Sequence, residues 1–189
     1  MKLMHQIASL ALCMIIAGGI LSMEQANAQE KTAAPSVPAA NAADVASVDA
    51  IINAAYDSIS GPAGKKRDWN RMRSLFIPGA RLIPVGKGKD GTWSADVLDV
   101  DGFIKRAEEY FETNSFFERE AARRTEQFGH IVHAFSTYES RHKADDPKPF
   151  MRGINSIQLM YDGKRWWIVT IYWQPESTDE QIPKKYLKK

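Results

Sequence analysis

Cysteine is nearly absent from this chain, which contains Cys13 and no other. Cys13 lies in an N-terminal segment that we expect to be removed, so the mature protein would contain no thiol. Disulfide bonds, thiolate metal sites and cysteine nucleophiles are then excluded. The sequence also lacks a Gly-x-Ser-x-Gly nucleophile elbow, a zinc-binding helix motif and a dinucleotide fingerprint. Several common enzyme classes therefore find no support in its motifs.

Neither sign of charge is in large excess. The chain has 25 Lys and Arg against 23 Asp and Glu, and its formal net charge is +2. This balance does not indicate a nucleic-acid partner. Local basic clusters occur at residues 65–67, at residues 123–124 and in the C-terminal segment 177–189. We interpret them as solvated loops and a basic tail.

Long apolar runs are also lacking, and the main one, residues 7–21, counts 15 residues. A membrane-spanning helix needs about 20. The run follows Lys2 and precedes Ala26-Asn27-Ala28, which has the small residues that a signal peptidase reads. We therefore predict a signal peptide over residues 1–28, a mature chain that is periplasmic or secreted, and no membrane attachment after cleavage. The alternative is a retained membrane anchor.

The mature chain is predicted to form one domain. Residues 29–43 are rich in Ala and Pro and read as a flexible leader. The domain then occupies residues 44–176, a length that supports one hydrophobic core.

Three helices are predicted in the first half of the domain. Apolar residues at three- and four-residue steps indicate an amphipathic helix over residues 45–59, which Gly61-Pro62 ends. Asp68 can cap a second, short helix, and Asp101 opens a third. Short strands are expected at residues 81–85 and 97–100.

The second half of the domain has the two-residue period of β-strands. Strands are predicted over residues 117–127, 130–142, 152–161 and 166–173, with a hairpin turn at Asp162-Gly163. Within the first of these, residues 118–124 could also be helical. Helices followed by consecutive strands indicate an α+β fold, in which the helices cover one face of a bent antiparallel sheet.

This order of elements resembles the nuclear transport factor 2-like superfamily, which includes SnoaL-like proteins, ketosteroid isomerases and uncharacterised exported bacterial proteins. The segments 152–159 and 162–169 are similar to the closing hairpin of that group, and the resemblance covers residues 44–176. It implies a cone-shaped domain with a pocket between the helices and the concave sheet face. It also implies a homodimer that forms through the sheet.

Strand alternation and this resemblance together suggest the site residues. Residues 131–141 of odd number share one face, and so do residues 153–161 of odd number. Either this face or the opposite one, which includes Ser136 and Tyr138, could border the pocket. The predicted ligand-pocket residues are Tyr56, Trp69, His133, Glu139, Arg141, Asn155 and Trp173.

Two of these residues are candidates for catalysis. His133, between Ile131 and Phe135, could be a general base, or a core histidine with its hydrogen bonds satisfied. Tyr56 lies on the first helix, where the resemblance implies a hydrogen-bond donor. Glu139 and Arg141 could instead form a plain ion pair, and the tryptophans could belong to the core.

We expect an exported domain that binds a small ligand of apolar or mixed polarity, without a metal or cofactor. The alternative is a cofactor-free isomerase or lyase that transfers a proton on a small apolar substrate through His133 and Tyr56. A third possibility is a structural dimer or a subunit of an envelope complex.

Overall fold

The computed structural model of the protein describes residues 37–188. The predicted signal peptide and most of the predicted leader lie outside the described residues. Between residues 37 and 188, no helix has the length and apolar character that crossing a lipid bilayer requires.

The helices begin at side chains that accept a hydrogen bond from the first turn. Ser47, Asp68 and Asp99 each accept from a backbone N–H three residues further on. The helix predicted from residue 45 is in fact preceded by a separate 3-10 turn, because Ser47 starts a new helix. The helical elements are a 3-10 turn (Ala42–Val45), α1 (Val48–Ile59), α2 (Trp69–Leu75) and α3 (Val100–Thr113).

Six strands form one sheet in the order β2-β1-β6-β5-β4-β3. All neighbours are antiparallel except β1 and β6, which are parallel. The α+β class predicted from the sequence is confirmed. The strands are β1 (Phe76–Lys87), β2 (Trp93–Ala95), β3 (Phe117–Phe128), β4 (Ile131–Arg141), β5 (Met151–Tyr161) and β6 (Trp166–Pro175).

The four C-terminal strands match their predictions closely, while the two short ones differ. The strand predicted at 97–100 is reduced to one antiparallel bridge between Leu98 and Leu82 of β1, while β2 lies at 93–95 and Val100 already belongs to α3. β1 is longer than predicted and includes Pro78 and Gly79. Its register with β6 is irregular between Phe76 and Arg81. The Asp162-Gly163 turn is confirmed, with Asp162 accepting from two backbone N–H groups and Gly163 at φ 94.

The helices and one sheet face enclose the main core. Ile51, Ile52 and Leu75 from α1 and α2 are fully buried against Val132 and Ile157 from β4 and β5. The side chains of β4 that face the helices are therefore those of even number. The C-terminal segment, predicted as a basic tail, also contains regular structure. Lys184–Tyr186 forms a 3-10 turn that contacts β3 and β4.

Candidate functional site

A cavity of about 350 Å³ lies between the helices and the inner sheet face. Both α1 and α3 contribute to its wall, together with the inward residues of the sheet. The wall is predominantly apolar and includes Ile59, Phe103, Ala107, Phe111, Ile157 and Trp173. This size and composition are typical of a site for a small molecule.

The cavity has a polar floor and an opening on the α3 side. Tyr56, Tyr138 and Asn155 line it and are each less than 10% exposed, so they form its deep end. Tyr110 on α3 also lines it but is 43% exposed, which places the opening beside that helix. A ligand would therefore enter past α3 and reach the polar groups last.

A chain of hydrogen bonds crosses the floor. Asn155 Nδ2 donates to Tyr56 Oη at 3.0 Å, Tyr56 Oη lies 2.8 Å from Ser136 Oγ, and Ser136 donates to Glu120 Oε1 at 2.6 Å. A hydroxyl has one proton. Because Ser136 uses its proton on Glu120, Tyr56 must donate its own to Ser136. Tyr56 is therefore a poor candidate for donating to a ligand.

Tyr138 has the hydroxyl that is free to donate. Between residues 37 and 188 it has no hydrogen-bond partner, although it lines the floor. Its ring lies over Gly153, where an added Cβ would come within 2.4 Å of Tyr138 Oη. Burial, with the nearby Glu118, raises the pKa of Tyr138, so the hydroxyl stays protonated. Tyr138 can thus offer a hydrogen bond to a ligand carbonyl or hydroxyl.

Glu118 supplies a titratable carboxyl to the site. It borders this cavity and accepts from Ser140 Oγ at 2.8 Å. Burial raises the pKa of Glu118 to about 7, and hydrogen bonds from Ser140 and Asn155 oppose part of that rise. A carboxyl with such a pKa can both donate and accept a proton near neutral pH.

A second, more polar cavity of about 290 Å³ lies beside the first. Tyr56 and Glu118 border both cavities, and Arg141 lines only the second. Glu118 is thus accessible from two sides, one apolar and one polar.

Three of the predicted pocket residues line the main cavity: Tyr56, Asn155 and Trp173. Trp173 packs edge-on against Phe103, with 6.1 Å between ring centroids. Trp69 does not line the cavity, because it packs in the core and stacks on Phe111 at 6.3 Å.

His133 lies on the opposite face of the sheet from the cavity, which corrects its placement beside Tyr56. Its neighbours Val132 and Ala134 point into the core, so alternation turns His133 outward. There Nε2 lies 2.9 Å from Ser156 Oγ, and the ring contacts Phe135. The structure does not bring His133 and Tyr56 to one substrate.

Glu139 and Arg141 also lie outside the main cavity. They form an ion pair, Arg141 Nη2 to Glu139 Oε2, at 2.7 Å. An ion pair is the alternative that the sequence analysis left open for these two residues. Unlike a pair on the surface, it includes a buried side chain, because Arg141 is only 4% exposed.

Sequence reasoning missed Glu118 and did not choose Tyr138. Glu118 lies in residues 118–124, which could also be helical, so its inward direction was not evident from the sequence. Tyr138 belongs to the even-numbered face that the strand pattern offered as an alternative. Between residues 37 and 188, no group of three or more His, Cys, Asp or Glu could hold a metal ion.

No known protein family and no curated protein matches this sequence. Among solved structures, a protein of unknown function with a cystatin-like fold from Nostoc punctiforme has a TM-score of 0.50 at 9% identity, covering 66% of this chain and 85% of that one. An NTF-2 like protein of unknown function from Silicibacter pomeroyi has a TM-score of 0.47 at 16% identity, over 69% and 94% of the two chains. An NTF2-like protein of unknown function from Methylobacillus flagellatus has a TM-score of 0.46 at 13% identity, over 69% and 95%.

These similarities concern the fold and convey no activity. Three helices lie on one face of an open six-stranded sheet, in the order predicted from the sequence. The chain thus has an α+β fold similar to the cystatin-like fold of the Nostoc punctiforme protein.

Proposed function

We propose that this domain binds a small, largely apolar molecule that carries one carbonyl or hydroxyl group. The observation that carries the proposal is an apolar cavity of about 350 Å³ whose floor holds the uncommitted Tyr138 hydroxyl. Burial of the ligand body would drive binding, and the hydrogen bond to Tyr138 would orient it. The similar solved structures have no assigned function and add only the fold.

The ligand must enter with its carbonyl or hydroxyl end first. Apolar wall residues offer no partner to a carbonyl, and an unpaired buried polar group costs about 1–3 kcal/mol. At the floor, Tyr138 can donate, while Glu118 and Asn155 offer further polar contacts. The arrangement therefore favours ligands that carry a carbonyl or hydroxyl at the end that reaches the floor.

Binding can be tested with a neutral aryl ketone dye whose fluorescence depends on solvent polarity. We expect saturable, blue-shifted binding to the wild-type protein. Ala107→Phe should weaken dye binding at least about tenfold, because Ala107 lines the cavity and a phenyl ring at this position would fill part of it. Ala95→Phe, at an exposed position of β2, is the matched control.

Tyr138→Phe tests the hydrogen bond separately. We expect about a fivefold loss of affinity for the ketone, since one neutral hydrogen bond contributes about 1 kcal/mol. The matched hydrocarbon, which has no carbonyl, should bind both proteins alike. Absence of saturable binding, or equal binding by Ala107→Phe, would refute the proposal.

Proton transfer is the second candidate function, and Glu118 is the observation that favours it. A base with a pKa of about 7 beside an apolar cavity suits removal of a proton from the carbon next to a carbonyl. The proton would pass from that carbon to the Glu118 carboxylate, and the electron pair would move to the carbonyl oxygen. Tyr138 would donate to the resulting oxyanion.

This second candidate predicts hydrogen–deuterium exchange at the α-carbon of a bound ketone in D₂O, followed by NMR. The rate should rise with pH and level off above about pH 7 in the wild type. Glu118→Gln should abolish the acceleration without abolishing binding. Equal exchange by the variant and the wild type would exclude Glu118 as the base.

We also propose that the protein is exported. The supporting features are the apolar run at residues 7–21 and the cleavage sequence before Gln29. N-terminal sequencing of secreted protein should begin at Gln29. A mature chain that still begins at Met1 would contradict export with cleavage.

A further inference from the structure

Arg106 is the one cationic side chain that borders the main cavity in the described part of the chain. It lies on α3, three residues after Phe103 and four before Tyr110, both of which also line the cavity. Residues at this spacing share a helix face. The guanidinium therefore stands at the opening, where the apolar wall meets solvent.

The guanidinium has hydrogen-bonding capacity to spare. Its side chain is 56% exposed, and Nη1 pairs with Asp96 Oδ2 at 2.9 Å. Arg106 makes no other side-chain hydrogen bond within residues 37–188. An arginine has five N–H donors, so a bidentate edge could still face a ligand. Asp96 is itself 66% exposed, and ion pairs between exposed groups are weak, so it would compete little.

The two ends of the cavity therefore differ in the charge that they accept. At the floor, a ligand carboxylate would lie buried beside Glu118, which is unfavourable for two like charges. At the mouth, the same carboxylate would stay partly hydrated and meet Arg106. One guanidinium with an aspartate nearby suits a monoanion better than a dianionic phosphate.

We propose that the cavity selects apolar carboxylic acids that carry a carbonyl or hydroxyl at the far end, with Arg106 as the residue that determines this specificity. The carbonyl or hydroxyl reaches Tyr138, the apolar chain fills the cavity, and the carboxylate stays at the mouth on Arg106. This inference rests on the proposed ligand-binding function and names the class of ligand for the same site.

The test uses a matched pair of probes: an aryl ketone whose alkyl chain ends in a carboxylate, and the methyl ester of the same compound. Their apolar body and ketone are identical, so the difference in Kd reports the replacement of a charged carboxylate by a neutral ester. We expect the acid to bind the wild-type protein about three- to tenfold more tightly than the ester at low salt. Added salt should reduce this preference, because the contact is partly exposed.

Three variants identify the residue responsible. Arg106→Gln should remove the preference for the acid, so that the acid and the ester bind this variant with similar Kd. Lys105→Gln changes the net charge equally at the adjacent exposed position, which does not line the cavity, and should keep the preference. Asp96→Asn should increase it by about twofold, because it frees the guanidinium from its partner.

The outcomes separate this inference from the proposed function. Binding of the ester without any preference for the acid would overturn the role of Arg106 while the ligand-binding function stands. Failure of both probes to bind would overturn both. An equal loss of preference in Lys105→Gln and Arg106→Gln would show a general effect of surface charge and would also overturn the assignment of Arg106.

Discussion

At the cavity floor, the positions of a few protons decide what each side chain can do. From its position on α1, Tyr56 was expected to donate a hydrogen bond to a ligand. Its proton is instead directed to Ser136, which donates to Glu120. Tyr138 keeps a free proton, and Glu118 exchanges one near neutral pH. Glu118 and Tyr138 are therefore the pair that the proposed proton transfer would use, while the Tyr56 hydroxyl is already hydrogen-bonded to Ser136 and Asn155.

Glu118 should make the protein less stable as the pH rises. Burial raises its pKa from 4.5 to about 7, so the folded state holds the proton more tightly than the unfolded state. Its contribution is fully present below about pH 4.5 and is lost as the pH rises through about 7. We expect a loss of about 2 kcal/mol, less than the full shift implies because the carboxyl also borders the cavities.

Urea unfolding at about pH 5 and about pH 8 measures this effect. Glu118→Gln should lose much less stability over that interval than the wild type, since the amide does not titrate. Glu112→Gln, at an exposed position of α3, should behave like the wild type. An unchanged pH dependence in Glu118→Gln would contradict the raised pKa.

Gly153 is required by the position of Tyr138. A Cβ at residue 153 would lie 2.4 Å from both Tyr138 Oη and the backbone oxygen of Gln174, and the backbone cannot move away cheaply. We expect Gly153→Ala to destabilise the fold by about 2–3 kcal/mol. Thermal unfolding measures it, with Gly86→Ala as the control, because no atom lies within 4 Å of a Cβ there. Equal melting temperatures for the two variants would contradict this packing.

At the scale of elements, the loop between α1 and α2 depends on a buried arginine. The basic cluster at residues 65–67 was interpreted as solvated, but Arg67 is only 8% exposed. Its guanidinium donates to the carbonyl oxygens of Ile59, Gly61, Pro62 and Lys65 and lies 4.6 Å from the centre of the Phe111 ring. Arg67 thus joins the end of α1 to α3 and holds one wall of the cavity in place.

Arg67→Lys should destabilise the domain by about 2 kcal/mol, although it preserves the charge. An ammonium group has three donors in a different geometry and leaves buried carbonyl oxygens without partners. Lys66→Ala, at the exposed neighbouring position, should change stability little. Chemical unfolding of both variants tests this, and a tolerant Arg67→Lys would show that the loop does not need the guanidinium.

For the whole molecule, the outer sheet face is the surface to which the homodimer prediction applies. Tyr172 on β6 is 47% exposed there. The C-terminal segment covers part of the same face, because Tyr186 packs on Phe135 and accepts a hydrogen bond from Thr137 at 2.6 Å. In a dimer that forms through this sheet face, the C-terminal segment would either be part of the interface or lie at its edge.

The homodimer remains a prediction, and light scattering on the mature chain tests it. We expect twice the mass of one chain, and Tyr172→Glu should shift it toward the monomer by placing a charge in the interface. Val97→Glu, at an exposed position outside the sheet, should leave the mass unchanged. A wild-type monomer at high concentration would refute the prediction.

Sequence patterns were enough to predict the succession of helices and strands, the turn at Asp162-Gly163 and the shared face of Asn155 and Ile157. These features depend on contacts close along the chain, where apolar spacing, caps and turn residues act directly. The face of β4 that meets the helices could be assigned only after folding, because both faces of that strand have apolar residues. The same applies to Glu118 and Arg67, whose burial depends on partners distant in sequence, while their charge alone suggested exposure.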